Sequence, residues 1–157
     1  MARVGNYALV PWLASFVASN VAGWAGDRLL ARGLSTTTVR KLMQTLAFAV
    51  GAAPLLVLPA ATSPGFAIAL VTVSLMSSAL ALSAFAVNHL DIGPRYAGIL
   101  MGLSNTAATV PGIVGVALTG LLVGATGSFA AVFYLTAAVY LVGLFGFLMW
   151  ASGEQKL

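Results

Sequence analysis

Cysteine is absent from the chain and charge nearly so. Without cysteine there is no disulfide, thiol nucleophile or thiolate metal ligand, and no cysteine usage from which to read the redox compartment. The single histidine, His89, cannot build a metal cluster or a catalytic triad alone. Its position predicts a bond to Asn88 or Asp91. The acidic residues, Asp27, Asp91 and Glu154, all lie at the ends of apolar stretches, never inside them. No carboxylate pair and no nucleophile beside a base is available there, so the chain does not read as an intramembrane enzyme. Charged residues make up 6% of the chain, against about 25% in an ordinary soluble domain. Such a chain cannot cover a water-facing surface. Its basic residues are too few and too scattered for a nucleic-acid patch.

Long apolar runs stand in place of charge. Hydrophobic residues reach 61%, and the mean hydropathy is +1.04. The charged positions Arg3, Asp27, Arg28, Arg32, Arg40, Lys41, Asp91, Arg95, Glu154 and Lys156 leave three charge-free intervals, 4–26, 42–90 and 96–153. A helix needs about 20 apolar residues to cross a bilayer. The first interval therefore holds one span and each of the others two. The turn-rich stretches 59–65 (PAATSPG) and 124–128 (GATGS) divide the longer intervals. Five transmembrane helices are predicted, at about 6–26, 42–60, 65–88, 96–123 and 129–151. The runs lack the alternation of a membrane barrel, and backbone in lipid must satisfy its own hydrogen bonds. The expected fold is an all-α membrane protein in one partial domain, 1–157, with the lipid bilayer as its first partner.

Counting spans puts 27–41, 91–95 and 152–157 on one side of the membrane. The opposite turns carry no charge. Basic residues collect on the cytoplasmic face, so the charged side is cytoplasmic or its equivalent, such as a stroma. An odd number of spans would export the N-terminus. A secretory signal over 1–25 fits poorly, because Pro11, Trp12 and Asn20 interrupt it. The expectation is a piece of a larger protein.

Polar residues inside the spans are few. Ser35 through Thr38 offer N-caps to the second span, with Arg40 and Lys41 at headgroup level. Pro11 and Pro54 are expected to kink their helices. Ser74, Ser77 and Ser78 share one helix face and are expected to bond back or pack against neighbours. Ser83 lies about 12 Å along its helix from Asp91, and Asn105 about 15 Å from Arg95. Both therefore fall near the bilayer midplane, where an amide cannot cheaply face lipid. The alternative is an interhelical packing bond. Ser104 and Thr109 flank Asn105, and Pro111-Gly112 weakens the helix just beyond. Polar side chains beside a weakened helix at mid-membrane suit a transport pathway. The spacings Gly98–Gly102 and Gly120–Gly124 predict tight packing of this helix.

The first span ends in Gly23-x-x-x-Asp27-Arg28, which resembles the loop signature of the major facilitator superfamily. Alternatively, Asp27 and Arg28 mark only where the helix leaves the membrane. The run NHLDIGPRYAGILMGLSNTAATVPGI at 88–113, supported by LSTTTVRKLMQ at 34–44 and ASGEQKL at 151–157, resembles the anion:cation symporter family within that superfamily. This family includes vesicular glutamate transporters, sialin, sodium/phosphate cotransporters and plant plastid anion transporters. The resemblance implies the last five helices of a twelve-helix transporter of organic or inorganic anions. Phosphate, ascorbate or another carboxylate would move by alternating access, driven by sodium, protons or membrane potential. It implies a pathway role for Ser83 and Asn105, and cytoplasmic gate or packing roles for Gly23, Asp27, Arg28, Asp91 and Arg95. The anion-binding arginines and the coupling site would lie on helices outside this chain, so the missing N-terminal helices are implied partners. No metal or other cofactor is implied. The form DIGPRYAG points to the plastid branch, in envelope or thylakoid, with vesicular, lysosomal or plasma membranes as alternatives. A non-transporting fragment or assembly partner is the other reading.

Overall fold

The computed structural model describes residues 2–156, with side chains from residue 9 onward. Met1, Leu157 and the side chain of Arg3 lie outside the described residues. Helix α1 (Ala2–Ala31) is followed by α2 (Thr36–Val57), which continues as a 3-10 turn over Leu58–Ala60. Helix α3 (Pro64–Ala81) runs through a π-helical turn, Leu82–Ala86, into α4 (Val87–Ile92). A 3-10 turn at Pro94–Tyr96 leads into α5 (Ala97–Thr126), and α6 (Ala130–Trp150) completes the set. The described residues contain no strand.

Four helical stretches are long and apolar enough to cross a membrane: Thr36–Ala60, Pro64–Ile92, Pro94–Thr126 and Ala130–Trp150. Helix α1 has the length, at 30 residues, but is not among these four. Its middle carries Pro11, Ser15, Ser19 and Asn20.

The charged stretch 27–41 is mostly helical, and only 32–35 lies between α1 and α2. The reason is local. Gly33 takes a left-handed conformation (φ 90°). Leu34 N–H then reaches the Leu29 carbonyl at 3.3 Å and Gly33 N–H the Leu30 carbonyl at 2.9 Å. This paired closure satisfies carbonyls that the helix end would otherwise leave open. Ser35 caps α2 by accepting the Thr38 N–H at 3.2 Å, and Ser63 caps α3 by accepting the Phe66 N–H at 3.3 Å. Pro64 stands at the first position of α3, where no N–H is needed.

Helix α2 lies at the centre, packed on α1, α3 and α6. Its buried stripe is Val39, Arg40, Met43, Gln44, Ala47, Gly51, Ala52, Pro54 and Leu55. Toward the charged end, Ala22, Val39, Met43 and Ala84 form one cluster. Toward the other end, Ala52, Leu55, Leu58 and Ala137 form a second. Two of the four residues in each cluster are alanine, and small side chains let membrane helices approach closely. Gly51 is the tightest point. A Cβ there would collide with Ser77 Oγ and sit 2.8 Å from Tyr140 Cε2. Phe48 stacks on Tyr140 with centroids 5.3 Å apart. Helix α5 is the opposite case, with no buried residue. A Cβ at Gly98, Gly102, Gly120 or Gly124 would meet nothing within 4 Å. The tight packing predicted for those spacings is not made among the described residues.

Candidate functional site

The π-helical turn organises the place where, among the described residues, charge enters the fold. A π turn widens the helix and disturbs its carbonyl ladder, and such turns occur frequently at functional sites. Here side chains meet three carbonyls in and around it. Ser83 Oγ donates to the Leu80 carbonyl at 2.7 Å. Arg40 Nη1 donates to the Ser83 carbonyl at 3.2 Å. His89 Nδ1 lies 3.2 Å from the Ala86 carbonyl.

Arg40 is buried, at 7% exposure. The α2 stripe carries it inward, one turn ahead of Gln44. Its Nε donates to Asp91 Oδ2 at 2.6 Å and its Nη2 to Asp91 Oδ1 at 3.1 Å. This two-pronged geometry is the strong form of an arginine–carboxylate pair, and it is the one salt bridge among the described residues. Helix α1 passes beside it at Gly26, where a Cβ would stand 4.0 Å from Nη1. Asp91 therefore pairs across 51 residues of sequence and not with Arg95, which is exposed on the following turn.

The other anticipated residues are placed differently. Asp27 and Arg28 are exposed, and the Arg28 guanidinium sits 4.8 Å from the centre of the Trp24 ring. Nothing would meet a Cβ at Gly23 within 4 Å. His89 bonds neither to Asn88 nor to Asp91. Its Nε2 lies 3.0 Å from Ser104 Oγ, which ties α4 to α5. Asn105 and Thr109 are exposed on α5, and Thr109 Oγ1 donates back to the Asn105 carbonyl at 3.0 Å. Helix α5 continues as one α-helix through Pro111 and Gly112. Of the three serines on α3, Ser74 Oγ crosses to the Gly51 carbonyl at 3.1 Å, while Ser77 Oγ donates to the Ser74 carbonyl at 2.5 Å.

A cleft of about 670 Å³ opens between α1, α2, α3 with its π turn, and α6, lined by aromatic side chains such as Trp12, Phe48 and Tyr140 and by serines such as Ser15 and Ser78. Among the described residues no cationic side chain lines it. An anion held there would need positive charge from elsewhere. Gln44 lies fully buried, and its Oε1 has no hydrogen-bond partner among the described residues. Among those residues no cluster of three or more histidine, aspartate or glutamate side chains could hold a metal.

Sequence reading missed Arg40, Gln44 and the cleft. The signal for the first two was present: 40, 44, 47 and 51 follow helical spacing and lead into an apolar, small-residue stripe.

Long apolar helices with an apolar exterior define a multi-pass α-helical membrane protein. No protein-family model matches the chain. Individual relatives do match, and they extend along nearly all of it. The ascorbate transporter, chloroplastic, of Arabidopsis thaliana is 42% identical over 153 residues, which is 98% of this chain and 28% of that protein. Probable anion transporter 1, chloroplastic, of Oryza sativa subsp. japonica is 42% identical over 151 residues, 96% of this chain and 28% of that protein. The sodium-dependent phosphate transport protein 1, chloroplastic, of Arabidopsis thaliana is 38% identical over 151 residues, 96% of this chain and 29% of that protein. These plant anion transporters are homologues of the chain, in agreement with the resemblance of residues 88–113. The chain spans less than a third of the length of these three. They are transporters, not enzymes.

Proposed function

We propose that the chain is the C-terminal part of an anion transporter, contributing the last five of twelve helices to a major facilitator fold. The carrying observation is identity of 38–42% across 96–98% of the chain to transporters more than three times its length. The whole protein moves phosphate, ascorbate or another carboxylate by alternating access, coupled to sodium or protons or driven by membrane potential, in a plastid envelope. Helix α1 counts as the fifth span. The Arg40–Asp91 pair, with Ser83 offering its carbonyl, closes the charged face. Gly23, Asp27, Arg28 and Arg95 stand around that closure. Ser83, Ser104, Asn105 and Thr109 belong to the pathway, and Pro111-Gly112 supplies flexibility in α5. The positive charge that the cleft lacks comes from the preceding helices.

The first test is the size of the native product, detected with an antibody against residues 151–157. A band roughly three times the 16.0 kDa of this chain is expected. Proteoliposomes holding that protein should take up phosphate or ascorbate when a sodium or proton gradient is imposed. A band near 16 kDa, or no uptake of either anion under any gradient, would overturn the reading in favour of a non-transporting fragment or assembly partner.

A further inference from the structure

We propose that residues 151–156 form a strap that holds the charged ends of α2 and α4 together and so governs whether the Arg40–Asp91 pair stays closed. The chain turns back across both helix ends once α6 stops at Trp150. Asn88 Nδ2 donates to the Ser152 carbonyl at 2.8 Å. The Gly153 N–H donates to Thr37 Oγ1 at 2.8 Å. The Lys156 N–H donates to the Ile92 carbonyl at 2.8 Å. Between these anchors, Ser152 Oγ accepts the Glu154 N–H at 3.2 Å, which folds the strap into a compact turn.

The anchors surround the ion pair. Thr37 stands three residues before Arg40 on α2. Asn88 stands three residues before Asp91, and Ile92 directly follows it. Each helix is thus gripped within about one turn of its half of the pair. The Ile92 carbonyl is one that a helix C-terminus leaves without an internal donor, and the strap supplies the donor.

The approach at Gly153 is too close for any side chain. A Cβ there would lie 2.7 Å from Thr37 N, 2.8 Å from Thr36 Cγ2 and 2.9 Å from the Thr36 carbonyl carbon. Residue 153 is glycine because backbone meets backbone. Since it follows α6 without a linker, a displacement of α6 pulls directly on the anchors. The strap therefore connects movement of α6 to the lifetime of the ion pair two helices away. Its consequence for transport rests on the reading of the pair as a gate.

The test measures the distance between α2 and α4 in the full-length transporter. Leu42 and Leu90 are exposed, at 40% and 55%, and this chain has no cysteine of its own. Spin labels on Leu42→Cys and Leu90→Cys, in a cysteine-free background in proteoliposomes, report the separation. The parent protein and Lys156→Ala, which keeps every backbone bond of the strap, should give one short distance. Gly153→Val, which unseats the strap, should add a second, longer population. Thr37→Val keeps the shape and removes only the Oγ1 acceptor. It should do the same and decides the matter if the valine at 153 prevents folding. One unchanged distance in both variants overturns the strap. A longer population with unaltered anion uptake keeps the strap and removes the gate reading instead.

Discussion

Replacing Asp91 with asparagine removes the charge of the buried pair with the least change of shape. Arg40, at 7% exposure, directs Nε and Nη2 at the two carboxylate oxygens, 2.6 and 3.1 Å away. An asparagine keeps one acceptor and turns an NH2 toward the guanidinium, so one arm of the fork becomes a donor facing a donor. A buried charge stripped of its partner costs about 3–5 kcal/mol. The Asp91 side chain retains 15% exposure, so water reaches part of the vacated space. The lower end, about 3 kcal/mol, is therefore expected, which is roughly a hundredfold in the equilibrium. Lysine at 40 recovers little, because a point charge cannot reproduce the fork. The assay is a double-mutant cycle on the full-length protein, with Asp91→Asn and Arg40→Met alone and together, read by unfolding in mixed micelles. A coupling energy above about 1.5 kcal/mol is expected. Additivity within about 0.5 kcal/mol, the tolerance for independent sites, would refute the pair as a stabilising contact.

Three further outcomes follow from named contacts. Gly51→Ala puts a Cβ into Ser77 Oγ and 2.8 Å from Tyr140 Cε2, and overpacking of this kind costs about 1–3 kcal/mol. Adding Ser77→Ala should restore part of that loss in the same unfolding assay, and no restoration would place the strain elsewhere. Ser35→Ala removes the cap of α2 and should lower stability by about 1 kcal/mol, whereas Ser35→Asp, which keeps a capping acceptor, should not. Asn105→Ala in the full-length transporter should reduce anion uptake about tenfold, as loss of one hydrogen bond worth about 1.4 kcal/mol implies, with membrane levels unchanged. Unaltered uptake kinetics would remove Asn105 from the pathway.

The helical membrane character was legible because it rests on composition, and composition does not depend on which helix meets which. The turn chemistry was legible in part. Ser35 reads as a cap from its neighbours alone. The continuation of α1 to Ala31 does not, because Gly33 had to be recognised as the left-handed residue of a closure running from Leu34 back to Leu29. Arg40 shows the limit more sharply. In a window of sequence it is one of two adjacent cations beside a membrane boundary. Its burial depends on a carboxylate 51 residues away and on a π turn that leaves the Ser83 carbonyl available to it. The register of α3 against α2 decides both, and register between helices is not written in either helix alone.

Glycine shows the same limit from the other side. The spacings at 98–102 and 120–124 announce smooth faces on α5, and those faces are open among the described residues. The close approaches fall at Gly51, Gly143 and Gly153, where Ser77 and Tyr140, Phe48, and Thr36 with Thr37 press against the missing side chains. None of these three belongs to a four-residue glycine repeat. A glycine spacing identifies a surface that could receive a partner, whereas the partner's own shape decides where contact is made. Helix α5 also presents Asn105 on its exposed surface, and a mid-membrane amide facing lipid is costly. Under the proposed reading, its smooth glycine faces and its amide are both satisfied by the rest of the transporter: helices against the glycines, and a polar pathway or partner against Asn105.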